Sequence, residues 1–101
     1  MSSYLSETLM VCKAHTWKAT VLPDGRWLLY NQTEHQAITL AATAGILWEL
    51  CDGRTPVAGL IQQLQDLYPK AQTEQLKADI QRMIHSLLEQ ELVIIPETPA
   101  S

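Results

Sequence analysis

Three histidines, His15, His35 and His85, and two cysteines, Cys12 and Cys51, are the side chains of this chain best suited to metal or nucleophilic chemistry. A structural zinc site draws three or four such ligands together, usually with two of them a helical turn or a short knuckle apart. The histidines here are widely spaced and none forms an i, i+4 couple. A site built from Cys12, Cys51 and two histidines would need distant segments to converge, so the expectation is surface histidines and no metal. Nucleophilic catalysis needs a nucleophile, a base and a group that orients the base. Cys51 falls on the apolar stripe of a helix and reads as a small core residue. Most serines (Ser2, Ser3, Ser6, Ser101) lie in the terminal segments, and Ser86 stands apart from them. Gly25, Gly45, Gly53 and Gly59 make neither a phosphate loop nor a dinucleotide fingerprint. Glu89 and Glu91 are two apart on a helix and do not face each other. The reading is of a chain with no catalytic residues and no cofactor, that is, not an enzyme.

What remains is binding. Trp17, Trp27 and Trp48 are many for 101 residues without a phenylalanine. Trp48 is expected in the core, while Trp17 and Trp27, on a thin sheet, fit either packing or a binding surface. In the run Gln36, Ala37, Ile38, Thr39, Leu40, the residues Ile38 and Leu40 share one face and Ala37 and Thr39 the other. If this run ends a sheet, its free backbone groups can pair with an incoming peptide; otherwise it is merely an edge kept short. Gln75, Asp79, Arg82, Met83 and Ser86 share one flank of the last helix. A flank of that kind is either solvated or, with one methionine among polar groups, an adaptable peptide groove.

The elements that must position these groups divide the chain in two. Leu9 to Lys13 suits an extra strand or an ordered arm. Trp17 to Leu22 and Arg26 to Asn31 are β-prone runs joined by Pro23-Asp24-Gly25, a tight turn in which proline presets φ and glycine can take φ > 0. Gln36 to Leu40 is the third strand. The rest is helical. Thr43 to Cys51 carries Ala44, Leu47, Trp48 and Cys51 at helical spacing, and Asp52-Gly53 is expected to end it. Thr55 is expected to cap a second helix with Pro56 at its first position. Its stripe is Val57, Leu60, Ile61, Leu64, Leu67 and Tyr68. Thr73 is expected to cap a third helix, whose stripe is Leu76, Ile80, Ile84, Leu87 and Leu88, and Leu92 to Ile95 is a last β-prone run. The order predicts an α+β fold, a three-stranded antiparallel sheet followed by three helices in a winged helix-turn-helix-like arrangement. Its parts would be an arm or extra strand over 1–16, a domain over 17–95 and a tail over 96–101.

The length fits one domain, and 47% apolar with 18% charged residues is ordinary globular composition. A formal charge of −4 argues against a nucleic-acid or anionic-membrane partner, both of which attract basic surfaces. Residues 1–7 lack the apolar run of a secretion signal, and no stretch approaches the roughly 18 apolar residues of a membrane span. A cytoplasmic protein with two reduced thiols is expected, and in that setting the Asn31-Gln32-Thr33 sequon is a chance match.

The stretch from Leu40 to Leu64 resembles the PqqD-like domains, also called RiPP recognition elements. Leu47-Trp48-Glu49-Leu50, Asp52-Gly53 and Thr55 to Ile61 follow that family's pattern. Leu67-Tyr68, Ala78-Asp79-Ile80 and Leu87-Leu88 to Leu92-Val93 continue it, so that the likeness covers Trp17 to Ile95. Three positions depart from it. Ala41 stands for an asparagine after the strand, Thr43-Ala44-Gly45 for a Thr-Gly-Ala step, and Glu91 for a glycine before the last apolar run. The resemblance implies a stand-alone domain that binds the leader segment of a ribosomally made precursor peptide and presents it to a modifying enzyme, such as a radical SAM enzyme, cyclase or leader peptidase. It implies strand addition to Gln36, Ala37, Ile38, Thr39 and Leu40, with the leader lying against Gln75, Asp79, Arg82, Met83 and Ser86. Either a monomer or a homodimer is compatible with it. Two other readings share the architecture. One is a winged-helix DNA-binding regulator, which the four acids against two bases from Thr73 to Glu91 oppose. The other is a protein–protein adaptor without a leader peptide.

Overall fold

The computed structural model describes residues 5–96. Strand β1 (Met10–Lys13) comes first, and strands β2 (Lys18–Val21), β3 (Trp27–Asn31) and β4 (Gln36–Leu40) form one antiparallel sheet in the order β2-β3-β4. The turn between β2 and β3 is built as expected. Gly25 takes φ 92°, and the Leu22 N–H donates to the Arg26 carbonyl at 2.7 Å. The Asp24 carboxylate accepts the Arg26 N–H and its Nε–H, and the Arg26 backbone bond first, then its side chain, hold that carboxyl below the usual carboxylate range. Across β3 and β4, Leu29 faces Ile38 and Trp27 faces Leu40. Leu29 and Leu40 are buried, Ile38 and Trp27 are half-buried, and Ala37 and Thr39 on the opposite face are exposed. The alternation read from the sequence is therefore the one that faces the core. Asn31 is buried, and its Oδ1 accepts the Glu34 N–H in the next turn.

Helices α1 (Ala42–Leu50), α2 (Val57–Leu67) and α3 (Thr73–Glu89) follow, which completes the expected sheet and three helices. A second antiparallel sheet was not expected. It comprises β1 (Met10–Lys13), β5 (Asp52–Pro56) and β6 (Val93–Ile94) in the order β5-β1-β6. Of the two readings of Leu9 to Lys13, the strand is the one formed. The expected tail beyond Pro96 and the first four residues of the expected arm lie outside the described residues.

The helix ends differ from the expectations for identifiable reasons. Asp52-Gly53 does not end α1, and Thr55-Pro56 does not open α2 from within; all four residues belong to β5. The Asp52 carboxylate accepts N–H groups from Arg54 and Thr55 and the Thr55 hydroxyl, which removes that hydroxyl from any capping role. The backbone bonds, Arg54 first, keep the Asp52 pKa below its ordinary value. The free N–H groups of α2 go instead to the segment before β1. Val57 N–H donates to the Leu9 carbonyl and Ala58 N–H to the Glu7 carbonyl, both at 2.9 Å. Gln72 rather than Thr73 is the N-cap of α3, again without a side-chain bond. The far end of α3 closes with Leu92 N–H on the Leu87 carbonyl and Glu91 N–H on the Leu88 carbonyl, a Schellman pattern.

The core joins Leu47 and Trp48 of α1, Val57, Leu60, Ile61 and Leu64 of α2, and Leu76, Ile80, Ile84 and Leu87 of α3 to Val11, Leu29, Leu92 and Val93. Leu67 departs from its stripe and is 57% exposed, because α2 ends there. Trp17 is buried and Trp27 packs against α1, so both tryptophans left open by the sequence serve packing. Gly45 is what lets Trp27 approach: a Cβ on Gly45 would lie 2.1 Å from Trp27 Cγ. Gly45→Ala is therefore expected to destabilise the domain by about 1–3 kcal/mol through overpacking, despite the better helix propensity of alanine. Thermal unfolding followed by circular dichroism reads this as a lowered midpoint; an unchanged or raised midpoint would show that the ring moves freely.

Candidate functional site

The chemistry-bearing side chains do not gather. His15, His35 and His85 are exposed, and His85 Nδ1 lies 3.7 Å from Glu89 Oε1 one turn along α3. Among the described residues no group of three or more His, Cys, Asp or Glu could hold a metal ion. Both cysteines are free thiols. Cys51 is fully buried, its Sγ donates to the Leu47 carbonyl at 3.2 Å, and burial pushes its pKa up to about 12, far from a reactive thiolate. No helix among the described residues is long and apolar enough to cross a membrane.

The binding features fall on two elements, β4 and α3, which α1 links. β4 is the edge of its sheet: β3 covers one side, and no described strand pairs with the other. Its outer backbone groups are a template for one more strand. Immediately after β4, α1 packs against both that strand and α3. A groove of about 450 Å³ opens there, between Thr43 near the start of α1, Tyr68 and Ala71 in the link from α2, and the flank of α3. Leu76, Asp79, Arg82, Met83 and Ser86 form its α3 wall.

Four of the five helix residues read from the sequence thus line one groove. Gln75 does not; it is exposed, and its Nε2–H donates to Asp79 Oδ1. Arg82 pairs with the same Asp79 oxygen, so the charges at the groove rim are matched in the free protein. Met83 is half-buried and supplies the apolar surface between them. Of the strand residues, Ile38 and Leu40 turn inward, whereas Gln36, Ala37 and Thr39 are exposed. Sequence reasoning missed Thr43, Tyr68, Ala71 and Leu76. Tyr68 and Leu76 were read as stripe residues, and the groove appears only where three elements meet.

A free strand edge has backbone donors and acceptors that suit an extended segment, and the groove on α3 has an apolar lining from Tyr68, Ala71, Leu76 and Met83. A family model described as coenzyme PQQ synthesis protein D (PqqD) matches residues 26–93. Among solved structures, "TbiB1 in Complex with the TbiA(beta) Leader Peptide" is similar in fold. The TM-score is 0.69 and the identity 13%, over 86% of this chain and 99% of that one. No curated protein matches the chain.

Proposed function

The chain belongs to the PqqD family, and from that membership we propose that it binds the leader segment of a ribosomally synthesised precursor peptide and presents it to a modifying enzyme. The observation that carries this reading is the free edge of β4, which α1 links to the groove on α3. The leader pairs with Gln36, Ala37, Ile38, Thr39 and Leu40 as a fourth strand. Its inward side chains enter the groove at Asp79, Arg82, Met83 and Ser86, with Gln75 at the rim. Main-chain hydrogen bonds give affinity and the groove sets the register. That the fold-similar TbiB1 structure holds a leader peptide supports the reading. So does the scattered placement of titratable groups, since a presenting domain leaves the chemistry to its partner. That partner is a radical SAM enzyme, a cyclase or a leader peptidase, and the domain works in the cytoplasm as a monomer or homodimer.

The test is calorimetric titration of the purified protein with synthetic peptides taken from the N-terminal halves of short reading frames beside its gene. Saturable binding in the nanomolar to low micromolar range, abolished by scrambling the peptide, is expected. A duplex DNA arm is expected to show no binding, because the exposed face of α3 carries more acids than bases. Binding to DNA with none to any leader would overturn the reading in favour of a regulator. Failure of both would leave the adaptor reading.

A further inference from the structure

A second hollow, of about 440 Å³, opens at the other end of β4. Trp17, Asn31, Glu34 and Gln36 line it from the sheet side, and Gln90 and Glu91 from the end of α3. Gln36 is the first residue of β4 and faces Asn31 across the β3–β4 pair. A strand added along the β4 edge therefore runs into this hollow at one end and toward Thr43 and the Met83 groove at the other.

Three observations say what it would take. First, Asn31 is only 6% exposed, yet half of its amide is unused. The Glu34 N–H on Oδ1 fixes which way the amide faces, and its nitrogen has no hydrogen-bond partner among the described residues. That nitrogen is not sealed from solvent, so water satisfies it in the free protein, and a carbonyl arriving from outside would take the water's place. Second, Glu34 and Glu91 are exposed and make no ion pair among the described residues; no lysine or arginine lines the hollow, and His15 is the basic side chain on its wall. Third, Glu91 holds φ 59° at the position of the Schellman pattern where glycine is favoured. A glutamate there retains a carboxylate at a conformational penalty that glycine avoids.

We propose that this hollow is a second recognition subsite, taking a lysine or arginine side chain of the bound peptide. This rests on the peptide-binding reading above. The cation sits between Glu34 and Glu91, and the Asn31 amide donates to a carbonyl of the peptide. Gln36 to Leu40 spans about 13 Å at strand rise, so the peptide's basic residue and its apolar anchor in the Met83 groove stand about four residues apart, on one face of the added strand.

The experiment is selection from a random peptide-display library on the immobilised full chain, in parallel with the Glu34→Gln/Glu91→Gln double variant and with Met83→Glu. Peptides selected by the unaltered protein are expected to carry Lys or Arg at one fixed position. Replacing that residue by norleucine in a synthetic copy is expected to weaken binding about fivefold, but less than about twofold against the double variant. Glu91→Gly is expected to weaken the same peptide while raising the melting midpoint by about 4 °C; a purely structural role for Glu91 would leave affinity alone. Selected peptides without a fixed basic residue, or an equal norleucine effect in the double variant, would overturn the proposal. If such peptides are nevertheless lost with Met83→Glu, peptide binding itself stands. Enrichment of no peptide at all would overturn both.

Discussion

Met83→Glu is expected to weaken leader binding at least tenfold while the domain stays folded. Met83 and the more deeply buried Leu76 are the apolar side chains of the α3 wall, and Met83 is half-buried and still open to the groove. Covering a side chain of this size contributes about 1.5–3 kcal/mol, and about 1.4 kcal/mol is a factor of ten in affinity. The variant loses that contact and adds a carboxylate one turn from Asp79, where the two acids share a face. A peptide lying in the groove would then have to desolvate an acid beside an acid. The unfolding midpoint should move by only a few degrees, because Met83 lies at the margin of the core and not within it. Met83→Leu, which keeps the volume and the apolar character, should change affinity less than about threefold. Calorimetry with the leader that saturates the unaltered protein reads both variants. Unchanged affinity of a folded Met83→Glu protein would show that the groove is not where the peptide lies. Ile38→Asp addresses the same strand less cleanly. Ile38 faces the fully buried Leu29, so a charge there disturbs the sheet as well as the edge.

The contrast between Met83 and Ile38 reflects what a sequence can and cannot specify. The strand Gln36–Leu40 was legible to its last residue, because strict alternation decides both the element and its inner face. The α3 flank was legible for the same kind of reason, helical spacing alone placing Asp79, Arg82, Met83 and Ser86 together. The second sheet was not. β1 pairs with residues about forty and eighty positions away, and β5 reads Asp-Gly-Arg-Thr-Pro, residues that local propensity assigns to turns. Only tertiary context makes that stretch a strand: the Leu9 and Glu7 carbonyls that take the first N–H groups of α2 also fix where β5 must end. Thr43 and Ala71 escaped notice in the groove for the same reason, since neither shares a periodic face with Met83.

Trp48 is one of the ties that hold the second sheet to the helices, and Trp48→Ala is expected to have the largest effect on stability. The ring is 4% exposed, its Nε1–H donates to the Leu92 carbonyl at 2.9 Å, and Lys13 Nζ stands 5.7 Å from its centroid. Lys13 also donates to the backbone carbonyl and carboxylate of Glu49, so α1, β1 and the approach to β6 meet at this one residue. Truncating a buried tryptophan costs about 3–5 kcal/mol. The Leu92 carbonyl keeps the Ala14 N–H at 3.1 Å, so losing the indole donor adds only about 0.5–1.5 kcal/mol. Against a total stability of about 5–15 kcal/mol, the two together are on the order of half. The melting midpoint should fall by roughly 15–50 °C at the 4–8 °C per kcal/mol typical of a domain this size. Trp48→Phe separates the two contributions: it keeps most of the ring and loses the donor, and should fall by no more than about a third as much. If alanine and phenylalanine behave alike, the hydrogen bond to Leu92 is the dominant tie. If alanine is far worse, ring burial dominates, and the two-residue strand β6 owes its place mainly to the tryptophan packed beneath it. Either outcome bears on recognition as well as stability. Leu92 follows Glu91 directly, so loosening its carbonyl also loosens the end of α3 that borders the second hollow.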